Sequence, residues 1–101
     1  MFDGSQKKET DNVLLIAFAN GDCQAAQQLT ERLLPKIYAH AYHRLGNIAD
    51  AEDVTQEAFL KLWKFAPKWK QDRAQVSTWL YRVVSNLCKE LLIFLSYGLA
   101  F

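Results

Sequence analysis

The sequence predicts an all-α protein, a compact bundle of four helices, and three observations carry that expectation. Apolar residues recur at three-or-four steps through long segments, the spacing that lines one face of a 3.6-residue helix. Glycine and proline are scarce, four and two among 101 residues, so little interrupts those segments. Half of the residues are apolar or aromatic and 23% are charged. That composition can bury one core in a chain of this length, and it excludes a disordered polymer.

Residues 1–9 read as a flexible lead-in. In TDNVLLIAFANGD, Thr10 or Asp11 can cap a first helix, Val13, Leu14, Ala17 and Phe18 repeat at helical spacing, and Gly21 supplies a stop. Asp22 then caps a longer helix from about Cys23 to Leu45. Its stripe is Ala26, Leu29, Leu33, Ile37, Ala41 and Leu45. Pro35 lies inside that pattern and should kink the helix or open a new turn, because it lacks the donor and crowds the preceding turn. Gly46-Asn47 ends the segment. A third helix, DAEDVTQEAFLKLW and a few residues more, takes Asp50 as its cap and ends near Phe65, ahead of Pro67. Residues 66–76, APKWKQDRAQV, read as a loop. Ser77 or Thr78 caps the last helix, which buries Leu80, Val83, Val84, Leu87 and Leu91 by spacing.

Charge is divided along the chain. Residues 1–63 hold six basic and nine acidic side chains, whereas residues 64–101 hold six basic and two acidic. A chain acidic in its first part and basic in its last can hold two different partners. Cys23 and Cys88 occur in helical patterns with no CxxC, and read as two buried thiols in a reducing cytosol. The first twelve residues are polar and mixed in charge, unlike a signal peptide. The longest apolar run, LLIFLSYGLAF, is too short to span a bilayer. The chain is expected to be cytoplasmic. His40 and His43 stand three apart, but no third ligand matches them, so no metal or cofactor is expected. No strained nucleophile turn or glycine-rich phosphate loop occurs, and no enzyme activity is expected.

A hundred-degree step per residue divides the third helix into faces. Ala51, Val54, Ala58, Leu62 and Phe65 share one sector, widened by Phe59 and Trp63: the core face. Asp53, Gln56, Glu57 and Lys64 lie opposite, with Leu60 among them. An exposed leucine is common. A leucine ringed by carboxylates and an amide is also the makeup of a contact patch, an apolar centre with a polar rim. Downstream, Lys64, Lys68, Lys70 and Arg73 surround Trp69, a mixture that suits stacked bases and phosphates but also an ordinary solvated loop. The last helix turns Arg82, Ser85, Asn86 and Lys89 away from its apolar stripe, with Thr78, Trp79 and Tyr81 near its start. Such donors can bond phosphates and base edges, or water.

DAEDVTQEAFLKLW, followed after a short basic loop by STWLYRVVSNL, resembles the region 2 domain of a bacterial RNA polymerase sigma factor, and most of all the extracytoplasmic-function (ECF) group. ANGDCQAAQQLTERLLPKIYAHAYHRLGN is similar to the opening helices of that domain, so the resemblance covers about residues 11–92. It implies a region 2-like fold and two partners. Asp53, Gln56, Glu57 and Leu60 would dock on a coiled coil of the core polymerase clamp. Residues around Trp69 to Ser77, with Lys68, Lys70 and Arg73, would hold a base flipped from the non-template strand of the minus-ten promoter element. Thr78, Trp79, Arg82, Asn86 and Lys89 would lie at the upstream edge of the melted bubble, with Trp79 propping the strands apart. An anti-sigma factor is a further expected partner.

The pattern of the family continues with basic residues, a linker and a second domain that reads the minus-thirty-five element. Here LLIFLSYGLAF stands instead. The expected domain plan is therefore a lead-in (1–9), a sigma region 2 domain (10–92) and an atypical apolar tail (93–101) with no region 4 domain. The tail reads as an imposed end or a reading frame closed by unrelated codons, or else as a true apolar tail that packs on the bundle or on a second copy. If the last helix continues through Phe94 and Leu95, self-association is expected. The expected function is docking on polymerase with recognition and melting of the minus-ten element. The alternative is a truncated remnant that binds only proteins, core polymerase or an anti-sigma factor.

Overall fold

The computed structural model describes residues 10–70 and 75–99. Within them the chain forms four α-helices, α1 (Asp11–Ala19), α2 (Cys23–Leu45), α3 (Ile48–Phe65) and α4 (Val76–Leu99), with a 3-10 turn at Ala66–Lys68. No strand occurs among the described residues. The lead-in, residues 1–9, lies outside them.

Local chemistry sets most boundaries. Thr10 caps α1, its hydroxyl accepting from the Val13 N–H at 3.2 Å. Asp22 caps α2 by accepting from the Gln24 N–H at 3.0 Å. Gly46 ends α2 at φ 67°, a left-handed turn that an L side chain adopts only at a cost. Pro35 opens no new turn: α2 is one helix from Cys23 to Leu45. Glu31 and Pro35 both lie on the exposed side, where water can take the carbonyl that proline leaves unpaired.

Two starts differ from expectation. α3 begins at Ile48, not after Asp50, because the Asn47 side chain accepts from the Asp50 N–H at 2.9 Å. Asn47 therefore caps the helix that follows it. α4 begins at Val76, ahead of Ser77 and Thr78. Its first N–H is taken by Asn12 of α1, Val76 donating to Asn12 Oδ1 at 3.2 Å. This tertiary cap ties the start of α4 to α1. A salt bridge from Arg32 to Asp11, 3.1 Å, ties α1 to α2.

α2 is the hub and packs on α1, α3 and α4, while α3 also packs on α4. The core gathers Leu14 and Leu15; Ala25, Leu29, Leu33, Ile37 and Ala41; Ala51, Val54, Ala58, Phe59 and Leu62; and Val76, Leu80, Val84, Leu87 and Cys88. The α2 stripe therefore opens on Ala25, with Ala26 half-buried. Thr55 is also buried, its hydroxyl satisfied by donating to the Ala51 carbonyl at 2.7 Å. Val83 and Leu91 are half-buried, and Phe65 is exposed, although spacing placed it on the core face. Cys88 is buried but Cys23 is exposed, so only one thiol belongs to the interior.

α4 continues well past the core, whose last α4 members are Leu87 and Cys88. Leu92, Ile93, Phe94, Leu95 and Tyr97 are exposed along the projecting turns. The expected boundary at residue 92 is thus not marked by any break in the helix. No described helix is long and apolar enough to cross a membrane.

Candidate protein-docking and nucleic-acid surfaces

The outer face of α3 carries Asp53, Gln56, Glu57 and Leu60, all exposed, with Leu60 at 57%. Leu62, two residues on, is fully buried. The hundred-degree step explains the contrast, since Leu62 falls on the Ala51–Val54–Ala58 stripe and Leu60 does not. The exposed face is not flat. A cleft of about 470 Å³ between α2 and α3 is lined by Leu34, Pro35 and Tyr38 on one side and by Glu52, Asp53 and Gln56 on the other. A second, of about 300 Å³, takes Leu34 and Gln56 as shared walls and adds Leu60 and Trp63. Together they make a groove along α2 and α3 with an acidic rim at Glu52 and Asp53. Glu57 belongs to the other side of α3, where it lines a cleft with Asp50, Leu91 and Phe94. The structure therefore divides the expected docking set. Gln56 and Leu60 face the α2 side, Glu57 faces α4, and Asp53 borders both.

Leu34 and Tyr38 are residues that the periodicity did not single out for this face. Leu34 is 41% exposed, immediately beside the buried Leu33. The available signal is the doubled leucine before Pro35, one more apolar residue than a single stripe uses.

On the basic side, the 3-10 turn and the start of α4 bring three aromatic rings together. The Phe65 and Trp79 rings stack at 5.6 Å and 19°, and Trp69 stands edge-on to both, at 6.1 and 6.2 Å. Trp69 and Trp79 are half-buried, while Lys64, Lys68 and Lys70 are exposed around them. The Trp69 indole N–H is buried and has no acceptor among the described residues. A buried donor of this kind is a place where an incoming acceptor gains a hydrogen bond. Arg73 lies outside the described residues.

Thr78, Arg82, Asn86 and Lys89 are exposed and share one face of α4, and Ser77 is half-buried at its margin. α2 reaches this face. His40 Nε2 lies 3.2 Å from Ser85 Oγ and accepts from Arg44 Nε at 3.2 Å, and its ring meets Tyr81 edge-on at 5.0 Å. Because Nε2 accepts, the ring proton of the neutral form sits on Nδ1. Burial, then the charge of Arg44 and then that of His43, holds His40 below the ordinary imidazole range. His40 thus serves as a polar link between α2 and α4. No group of three or more histidine, cysteine or acidic side chains able to hold a metal occurs among the described residues.

These surfaces sit on a sequence with identifiable relatives. The family described as Sigma-70 region 2 matches residues 29–92. The chain is 39% identical over 67 residues to the ECF RNA polymerase sigma factor SigW of Bacillus subtilis, covering 66% of this chain and 35% of that protein. It is 36% identical over 84 residues to the ECF RNA polymerase sigma-E factor of Escherichia coli, covering 83% of this chain and 43% of that one. The chain therefore spans less than half the length of these relatives. Among solved structures it is similar to an engineered region 2 of sigmaE, determined by NMR in complex with GTAAAA. That likeness has a TM-score of 0.77 and 31% identity, over 92% of this chain and 96% of the other. A bundle built on α2, with these motifs on α3 and α4 and these relatives, is a region 2 domain of the ECF type: the chain belongs to the Sigma-70 region 2 family.

Proposed function

We propose that this domain docks on core RNA polymerase through the outer face of α3, and recognises and opens the minus-ten promoter element through the aromatic cluster and α4. The observation that carries the reading is the triple-ring cluster with its three lysines and a Trp69 donor that has no acceptor among the described residues, in a domain similar along nearly its whole length to a region 2 solved with GTAAAA. Aromatic faces accept any base by stacking, and lysines follow the phosphates.

The division of labour follows from charge and position. On α3, Leu60 supplies the apolar centre of a docking patch matched to the polymerase clamp coiled coil, Gln56 and Asp53 form its rim, and Glu57 extends the contact around the helix toward α4. Lys68, Trp69, Lys70, Arg73 and Ser77 hold the flipped base of the non-template strand. Thr78, Trp79, Arg82, Asn86 and Lys89 border the opened duplex, with Trp79 as the wedge. Extruding a base costs about a few kcal/mol, which stacking and a hydrogen bond from the Trp69 indole can offset. Nothing in this scheme requires bond chemistry at the protein. An anti-sigma factor, where one exists, would compete for the same α3 face.

A minus-ten duplex carrying 2-aminopurine at the base to be flipped tests the reading. With core polymerase and this domain present, fluorescence should rise as the base leaves the stack. Binding of polymerase without any rise would leave the narrower function, a module that binds proteins and does not open promoters.

A second reading concerns α4 beyond the bundle. Leu92, Ile93, Phe94, Leu95 and Tyr97 are exposed, and residues 91–99 carry no charged side chain. A second copy of the same helix can cover this surface without charge repulsion, so self-association accompanies the principal function.

A further inference from the structure

We propose that Phe65 is a base-stacking residue, which extends the single-strand surface from the loop and α4 onto the last turn of α3; this deepens the promoter-strand reading above and rests on it. Helical spacing assigns Phe65 to the core, yet it is 38% exposed. Its ring stands against both tryptophans, nearly parallel to Trp79 at 5.6 Å and with Trp69 edge-on at 6.1 Å. Phe65 and Trp79 are therefore the first two members of a stack. With 38% of the residue exposed, the face of the ring away from Trp79 is the position the proposal gives to a third planar group. Offset-stacked rings attract beyond the area they bury, and a nucleobase can supply the third ring.

The surroundings suit a nucleotide. Lys64 is the immediate neighbour of Phe65, and Lys68 and Lys70 flank Trp69, all exposed. Residues 64–70 contain no acid, so nothing in that segment repels a phosphate. The buried Trp69 donor, without an acceptor among the described residues, lies within the same ring cluster. A side chain that only covered the tryptophans would not require an aromatic face. Leucine would pack there and would offer no ring to a base. That difference makes the role separable from packing.

The test is an NMR titration of the full chain with single-stranded GTAAAA, repeated with Phe65→Leu, with Phe65→Tyr, and with hexamers carrying one abasic position at a time. In the wild-type chain, the aromatic protons of one base should shift upfield and show contacts to the Phe65 ring. Phe65→Leu should bind about tenfold more weakly and Phe65→Tyr within about twofold of wild type, the loss expected for one stacked base. One abasic position should weaken wild-type binding and leave Phe65→Leu unaffected, because the base and ring act as a pair. Wild-type binding with no contact to the Phe65 ring overturns this proposal alone. So does a Phe65→Leu loss of equal size at every abasic position, which marks Phe65 as packing for the tryptophans only. Absence of wild-type binding both to the hexamer and to an oligo-dT strand removes the promoter-strand reading and this proposal with it. The ring-contact result comes from wild-type protein and holds even if Phe65→Leu fails to fold.

Discussion

Leu60 and Leu62 stand two residues apart on α3 and should separate docking from folding. Leu62 is fully buried, so Leu62→Ala removes transferred apolar surface and leaves a cavity. The cost is about 2–5 kcal/mol. In a domain of this size each kcal/mol lowers Tm by about 4–8 °C, so a loss of at least about 8 °C is expected. Leu60 is 57% exposed. Full burial of a leucine side chain stabilises by about 1.5–3 kcal/mol, and somewhat more than half of that remains to be gained on docking, or about 1–2 kcal/mol. Leu60→Ala should therefore weaken binding to core polymerase by about 5- to 30-fold and leave stability within about 0.5 kcal/mol of wild type. Urea unfolding gives the stabilities, and titration of labelled domain with core polymerase gives the affinities. The reasoning is refuted if Leu60→Ala binds core polymerase as wild type does while remaining folded, or if the two variants lose equal stability.

Other consequences follow from the same structure. Cys23 is exposed and Cys88 buried, with burial raising the Cys88 thiol pKa against a smaller opposing effect of Arg44. Iodoacetamide at neutral pH should label one thiol in the native protein, at Cys23, and the second only in denaturant; rapid native labelling of both would contradict the packing of Cys88. His40 is held below its ordinary pKa of 6.5, so the unfolded chain takes up this proton first as pH falls. Stability is then fully present above that pH and declines below it until the folded histidine also protonates. The urea midpoint should drop between pH 7.5 and 5.5, and drop less in His40→Gln; equal drops in the two proteins would exclude His40 as a source. Phe94 is 71% exposed on the projecting part of α4. If two copies pack there, Phe94→Glu should convert a concentration-dependent mass in light scattering into that of a monomer, whereas a wild-type chain already monomeric at high concentration would rule the contact out.

Much of the fold is legible in the sequence because the signals are local. Asp22 and Gly46 carry their own cap chemistry, so both ends of α2 can be read directly. The errors arise where a distant or competing partner decides. Asn47 reads as the end of α2, yet its side chain caps α3. Ser77 and Thr78 are good caps by type, but Asn12, 64 residues away, takes the first N–H of α4. Phe65 satisfies the core spacing and is instead held by Trp69 and Trp79, which no helical projection of α3 can anticipate. Thr55 is buried because its hydroxyl bonds its own helix, a satisfaction that polarity alone hides. At the candidate site, the Leu60 face was readable from the hundred-degree step. Its extension over Leu34 and Tyr38 depends on how α2 lies against α3. The paired motifs on α3 and α4 supplied the family; composition supplied only a helical domain with divided charge.

The central claim is that the aromatic cluster and α4 read promoter single strand while the outer face of α3 holds polymerase. Its most direct test is the affinity of the domain for fluorescent single strands carrying minus-ten-type sequences, GTAAAA among them, against permuted sequences of equal composition, with and without core polymerase. The account predicts a preference for particular sequences that persists in the presence of core, since different residues serve the two partners. Sequence-independent binding, or competition between core polymerase and the strand, would contradict it.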